Sequence, residues 1–159
     1  MQAKLAGVFA LFCFLTFSGT VFCQTQAEAE KYVNMIRQDL QAEKVQLITR
    51  NMEFTVEESS AFWPVYEKYQ QEFRKIGDEK VALMKDYATH YDHLDDAKAM
   101  ELANKAVQLD GMRVDLMKKY LPEFSKVLSG KRVARFVQVE NQINRLIDLK
   151  IGSETPLVP

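Results

Sequence analysis

Two histidines, the only ones in the chain, are the residues best suited to metal chemistry. His90 and His93 are three positions apart, and Asp92, Asp95 and Asp96 lie beside them. Imidazoles at that spacing can share one face of a helical turn, and with nearby carboxylates they suit zinc or copper. The alternative is a hydrophilic turn that caps the next helix, and the sequence favours it because nothing supplies further ligands. We therefore expect no cofactor, with His90, His93 and Asp92 as the metal candidates.

Residues for covalent or acid–base catalysis are scarce. No serine or threonine stands in a nucleophile-elbow context, and no glycine-rich loop is present to hold a phosphate. Glu57 and Glu58 are adjacent carboxylates, but a helix start attracts acidic side chains through its dipole. The sequence thus predicts that the protein is not an enzyme and has no catalytic residues.

Aromatic residues crowd one stretch of a predicted helix. Its simplest interpretation is a core, yet Phe62 and Trp63 are adjacent and point about 100° apart, so one stripe does not easily bury both. An exposed apolar patch usually marks a binding surface, and the seven methionines add adaptable apolar area. The candidates for binding a client or partner are Phe62, Trp63, Tyr66, Tyr69 and Phe136.

Apolar periodicity predicts two helices in the first half of the mature chain. Residues 28–52 contain neither Gly nor Pro, and place their apolar residues on one face, with charged residues such as Lys44 largely around it. The second helix covers residues 56–89, and Thr55 with Glu58 is the pattern of a capping box at its start. Pro64 lies inside this helix and is expected to kink it.

Two further helices are predicted after the polar connection at residues 90–96, where Asp95 is the expected cap. Pro122 is expected to kink the third helix or to divide it. The fourth helix follows Ser129 and Gly130 and is expected to stop at Gly152, before an extended tail at residues 153–159.

The resulting fold class is all-α, with about four long and bent helices. The helix predicted over residues 56–89 spans about 50 Å, whereas a compact domain of this size has a radius of gyration of about 14 Å. An elongated, hairpin-like helical arrangement is therefore expected.

The first residues have the layout of a secretory signal peptide. A basic Lys4 precedes a short apolar run, which ends in small residues. The run is too short for a comfortable bilayer crossing, so we expect cleavage after Cys23, with Ala27 and Ala29 as alternative sites. Acylation of Cys23 and an uncleaved anchor are the less favoured alternatives. The predicted organisation is a signal peptide at 1–23, a helical domain at 24–152 and the tail.

Export changes the composition of the mature protein. Both cysteines, Cys13 and Cys23, leave with the leader, so no disulfide is expected. Removal of Lys4 leaves 20 basic against 22 acidic residues, a balance of −2. A nearly neutral surface disfavours nucleic acid as a partner, and no membrane span is expected after cleavage.

Two blocks carry a family resemblance. They are ITRNMEFTVEESSAFWPVYEKYQQE at residues 48–72 and KVLSGKRVARFVQVENQINRLI at residues 126–147. They resemble small exported bacterial helical proteins with FWPxYxxY and ARFxQxEN blocks, which are similar to the Spy/CpxP periplasmic family and its LTxxQ motif. Here FTVEES matches the first motif in position and capping chemistry, and LSGKR is the counterpart of the second, but both lack its Gln.

The resemblance implies a bent helical homodimer in the periplasm. It also implies a stress-related, ATP-independent chaperone-like function, in which the protein binds unfolded envelope proteins. Two alternatives stay open: a zinc- or copper-responsive resistance protein that uses the histidine pair, and a regulatory partner of one specific envelope protein.

Overall fold

The computed structural model describes residues 40–159, and it is all-α throughout that part of the chain. The chain divides into two compact units, Met1–Glu43 and Lys44–Pro159. Only residues 40–43 of the first unit are described, and they are helical. The predicted signal peptide, its cleavage sites and both cysteines lie outside the described residues.

Four helices make up the described chain. Helix α1 is described over residues 40–52, α2 is Val56–His90, α3 is Asp96–Val127 and α4 is Gly130–Glu154. A short 3-10 helix, Tyr91–His93, joins α2 to α3. With 35 residues, α2 is about 52 Å long at 1.5 Å per residue.

Ion pairs along α2 and α3 show that these helices form an antiparallel hairpin. Glu72 pairs with Lys119, Glu79 with Lys105 and Asp86 with Lys98, so residue numbers rise on one helix as they fall on the other.

Helix α4 runs in the same direction as α2. From the start of α4 towards its end, Arg132 contacts Glu58, Glu140 contacts Tyr69 and Asp148 contacts Lys80. These side-chain contacts join α4 to α2 along most of the length of α4.

The capping residues predicted from the sequence are confirmed. Thr55 accepts a hydrogen bond from the Glu58 backbone N–H at 3.2 Å, and the Glu58 carboxylate accepts one from the Thr55 N–H at 3.1 Å. Asp95 accepts one from the Lys98 N–H at 2.7 Å and so caps α3. These bonds satisfy backbone donors that the first turn of a helix leaves without partners.

Neither proline ends its helix. Pro64 lies within α2, and Pro122 within α3, which continues to Val127 as one helix and is not divided. A proline inside a helix loses its own hydrogen bond and crowds the preceding turn, and Phe124, which is fully buried just after Pro122, packs the last turns of α3 into the core. Gly152 also does not stop α4, which ends two residues later at Glu154.

One hydrophobic core joins the described helices of the second unit. Ile48 and Met52 from α1 are fully buried, as are Phe62, Phe124 and Phe136 from the other three helices. The core therefore depends on apolar side chains from all four helices, which explains why apolar residues recur along one face of each helix.

Substitution of the α2 cap tests the role of the capping box. Thr55→Ala is expected to lower the free energy of unfolding by about 1 kcal/mol, because the Glu58 N–H loses its acceptor. Urea denaturation measures the change, with Ser60→Ala, an exposed serine inside α2, as the control. Equal stability of the two variants would contradict this role.

Candidate functional site

The aromatic residues of α2 form a cluster with rings from α3 and α4. The Phe62 ring centroid lies 5.5 Å from that of Tyr66, 5.5 Å from Phe124 and 5.1 Å from Phe136. The Phe124 and Phe136 centroids are 4.5 Å apart. Aromatic pairs at such separations contribute attraction beyond the burial of their area. The cluster thus connects three helices through ring contacts.

The structure places the five partner-binding candidates unequally. Phe62, Tyr66, Tyr69 and Phe136 are between 0% and 1% exposed, in agreement with the core interpretation, and as the helices are arranged they offer no surface to a partner. Trp63 is only partly buried. Its indole N–H donates to Ser59 Oγ at 3.0 Å, and its ring meets Phe62 edge-on.

The histidines lie at the connection between α2 and α3. His90 Nδ1 is 2.9 Å from the Asp86 carboxylate, which also accepts from Lys98 Nζ at 2.9 Å. That hydrogen bond from Lys98 is the largest cause of the lowered pKa of Asp86. His93 and Asp92 are exposed in the 3-10 turn.

Residues 40–159 contain no group of three or more His, Cys, Asp or Glu side chains placed to hold a metal ion. The sequence grouped His90 with Asp92, whereas the structure pairs it with Asp86, one turn earlier on α2.

A buried ion pair lies beside the aromatic cluster. Lys44 Nζ donates to Glu140 Oε1 at 2.6 Å and to Asn144 Oδ1 at 3.3 Å, and it lies 4.5 Å from the Phe73 ring centroid. Tyr69 also donates to Glu140 Oε1, at 3.2 Å. The sequence placed Lys44 among the charged residues that largely surround the apolar face of α1, but only 5% of Lys44 is exposed. Its partners are about a hundred positions away, so local periodicity carries no signal of the pair.

Burial shifts the titration of this cluster. Burial lowers the pKa of Lys44, and the charge of Glu140 opposes that effect. Burial also raises the pKa values of Tyr66 and Tyr69, and the negative charge of Glu140 raises them further. The two tyrosine hydroxyls are therefore neutral near neutral pH.

An open groove of about 810 Å³ runs between α2 and α3. Ile76, Met112 and Leu116 supply its apolar side chains. The polar residues along it carry both signs of charge: Lys68, Lys75 and Lys119, and Glu72, Glu79 and Asp115. The groove is therefore amphipathic.

A smaller groove of about 340 Å³ lies between α3 and α4, and it reaches Tyr69 and Asn144 of the buried polar cluster. Val114 and Arg145 line it from opposite helices. Val114 is also the last of three exposed apolar residues spaced by seven along α3, after Met100 and Val107. Such spacing places them on one stripe of the helix.

Comparison with known proteins finds no matching family model, no matching curated protein and no matching solved structure. Among the helices of residues 40–159, none has both the length and the apolar composition that a bilayer crossing requires.

Removal of the buried ammonium group tests the ion pair. Lys44→Met leaves the Glu140 charge buried without its partner, and we expect the free energy of unfolding to fall by about 3 kcal/mol or more. The double variant Lys44→Met/Glu140→Leu is expected to recover part of the loss, because it removes both charges. Chemical denaturation measures each variant.

The matched control is Lys119→Met, which breaks the exposed pair between α3 and Glu72. Its expected cost is below about 1 kcal/mol, because solvent screens exposed pairs. If Lys44→Met were no more destabilising than this control, the buried pair would not stabilise the fold.

The buried tyrosines predict a loss of stability in alkali. Folded pKa values above the usual 10.0 mean that these hydroxyls ionise in the unfolded chain first, so their contribution is complete below pH 10 and is lost as the pH rises above it. Ionisation of Lys44 has the opposite effect on stability, because its pKa is lowered in the folded state, but this effect ends near its usual pKa of 10.5. Between pH 10.5 and 12, each of the two tyrosines is expected to remove up to about 1.4 kcal/mol per pH unit.

Denaturation of wild type and Tyr69→Phe across that range measures the effect. The free energy of unfolding of Tyr69→Phe is expected to fall less steeply with pH than that of wild type, and the difference in slope is the contribution of one tyrosine. Parallel curves would contradict the assignment of Tyr69 as a buried neutral hydroxyl.

Proposed function

We propose that this protein is an exported, non-enzymatic, chaperone-like binder of unfolded envelope proteins, and that the groove between α2 and α3 is its contact surface. The observation that carries the proposal is the chemistry of this groove, in which apolar side chains are flanked by both signs of charge. Export and the envelope location rest on the leader sequence, and the homodimer rests on the family resemblance.

The dimensions of the groove favour an extended segment as its occupant. Its α2 wall runs from Lys68 to Glu79, which is about 16 Å of helix. About five residues of extended chain have the same length at roughly 3.3 Å per residue. Such a segment alternates its side chains, so apolar ones can contact Ile76 and Met112 while the others meet the charged rim.

The charges on the rim favour a broad choice of segment. Glu72 accepts hydrogen bonds from Lys119 Nζ and from the Tyr120 hydroxyl at 2.8 Å, so this carboxylate already has partners. Lys68 and Lys75 are exposed on the rim, and the charge of Lys75 acts on the neighbouring Glu72. Both ammonium groups can reach acidic side chains of a client, whereas Asp115 already forms an exposed pair with Lys118 at 3.1 Å. No nucleotide takes part in such binding.

Charge reversal on the rim tests the proposal. Full-length mature protein is expected to suppress the aggregation of reduced α-lactalbumin at near-stoichiometric ratio. Lys68→Glu/Lys75→Glu is expected to raise the ratio needed for half suppression about threefold or more, since each exposed pair contributes up to about 1 kcal/mol. Light scattering measures the suppression.

The control is Lys131→Glu/Lys150→Glu, which makes the same change of net charge on α4, outside the groove. It is expected to behave as wild type. Equal loss in both variants would assign the effect to net charge alone. No suppression by the wild type for several unrelated clients would overturn the proposed function.

A further inference from the structure

Three polar atoms in the core have no hydrogen-bond partner among the described residues. They are Tyr66 Oη, Gln70 Nε2 and Glu140 Oε2. Their residues are 1%, 3% and 0% exposed, so bulk solvent does not reach them. Buried polar atoms without partners are unfavourable, and most of them in folded proteins are bonded to protein or to ordered water.

The two oxygens of the Glu140 carboxylate have unequal surroundings. Oε1 accepts from Lys44 Nζ at 2.6 Å, from Tyr69 Oη at 3.2 Å and, more weakly, from Asn144 Nδ2 at 3.4 Å. Oε2 accepts from no donor of residues 40–159. Because a carboxylate shares its charge over both oxygens, Oε2 also needs a donor.

The other two unpaired atoms come from the part of α2 that faces Glu140. Tyr66 and Gln70 are four positions apart, so they lie on one face of α2. The Tyr66 ring is 6.0 Å from the ring of Phe136, which lies one turn before Glu140 on α4. Tyr69, the residue before Gln70, donates to Glu140 Oε1, so Gln70 lies close to the level of Glu140 along α2. The charge of Glu140 raises the pKa of Tyr66, after the larger effect of burial, which also indicates that the two groups are close.

We propose that a single water molecule is bound inside the core by Tyr66 Oη, Gln70 Nε2 and Glu140 Oε2. The water donates one hydrogen bond to Oε2 and accepts one from the tyrosine hydroxyl and one from the glutamine amide. Three bonds are typical of a buried water in a polar site. The water thereby connects the Lys44–Glu140 pair to α2 by a second route, beside the Tyr69 hydroxyl.

The same site holds if the Gln70 amide is turned over. The glutamine then presents its oxygen, to which the water donates its second proton. The water still donates to Glu140 Oε2 and accepts from the Tyr66 hydroxyl, so the number of its hydrogen bonds is unchanged. Water suits this site because it supplies two donors and two acceptors.

A high-resolution crystal structure of the full mature chain tests the site directly. The expected result is one density peak within about 3.2 Å of all three atoms. In solution, the Tyr66 hydroxyl and Gln70 amide protons are expected to show cross-relaxation with a long-lived water in nuclear Overhauser spectra. Direct bonding of Tyr66 or Gln70 to Oε2, with no such peak and no such water signal, would overturn the proposal.

A double-mutant cycle of Tyr66→Phe and Gln70→Leu gives an independent readout. If both residues bind the same water, either change disturbs it. The combined effect on the unfolding equilibrium constant is then expected to be smaller than the product of the single effects, by about twofold or more. Effects that multiply would show that the two groups do not share a ligand. Both readouts are independent of client binding.

Discussion

The rings of Phe62, Phe124 and Phe136 come from three different helices, and their contact fixes how those helices pack. Each ring is fully buried, and loss of such a side chain typically costs about 3–5 kcal/mol. Ile48 and Met52 cover the same cluster from α1. Because this packing buries Phe62, Tyr66 and Tyr69 of α2, these rings offer no surface to a partner.

The ion pair of Lys44 and Glu140 is the second constraint on the fold, and it depends on the first. Two charges inside an aromatic core are tolerated only when geometry and hydrogen bonds compensate for their lost hydration. Tyr69 and Asn144 supply such bonds. The pair joins α1 to α4 at one position, where Lys44 Nζ lies 2.6 Å from Glu140 Oε1. The exposed pairs along α2 and α3 tolerate shifts more readily, since solvent screens them.

Local chemistry made most of the fold predictable, whereas contacts between distant residues did not. The caps at Thr55 and Asp95 and the break at Ser129 follow from neighbouring residues, and the structure confirms them. Of the two effects predicted for Pro122, division of α3 is wrong, because the helix continues past it to Val127 and carries the buried Phe124. Adjacent Phe62 and Trp63 indicated that one ring is less buried, and Trp63 is that ring. The burial of Lys44 and the groove beside Ile76 arise only when separate helices meet.

We propose that the groove between α2 and α3 binds the partner, whereas the buried aromatic residues form the core. Methyl NMR spectra of the full mature chain test it, because both regions carry isoleucine and methionine. On addition of permanently unfolded, reduced and carboxymethylated α-lactalbumin, the signals of Ile76 and Met112 in the groove are expected to shift. Those of Ile48 and Met52, which are fully buried in the core, are expected to stay unchanged. Shifts at Ile48 and Met52 with none at Ile76 and Met112 would contradict the account.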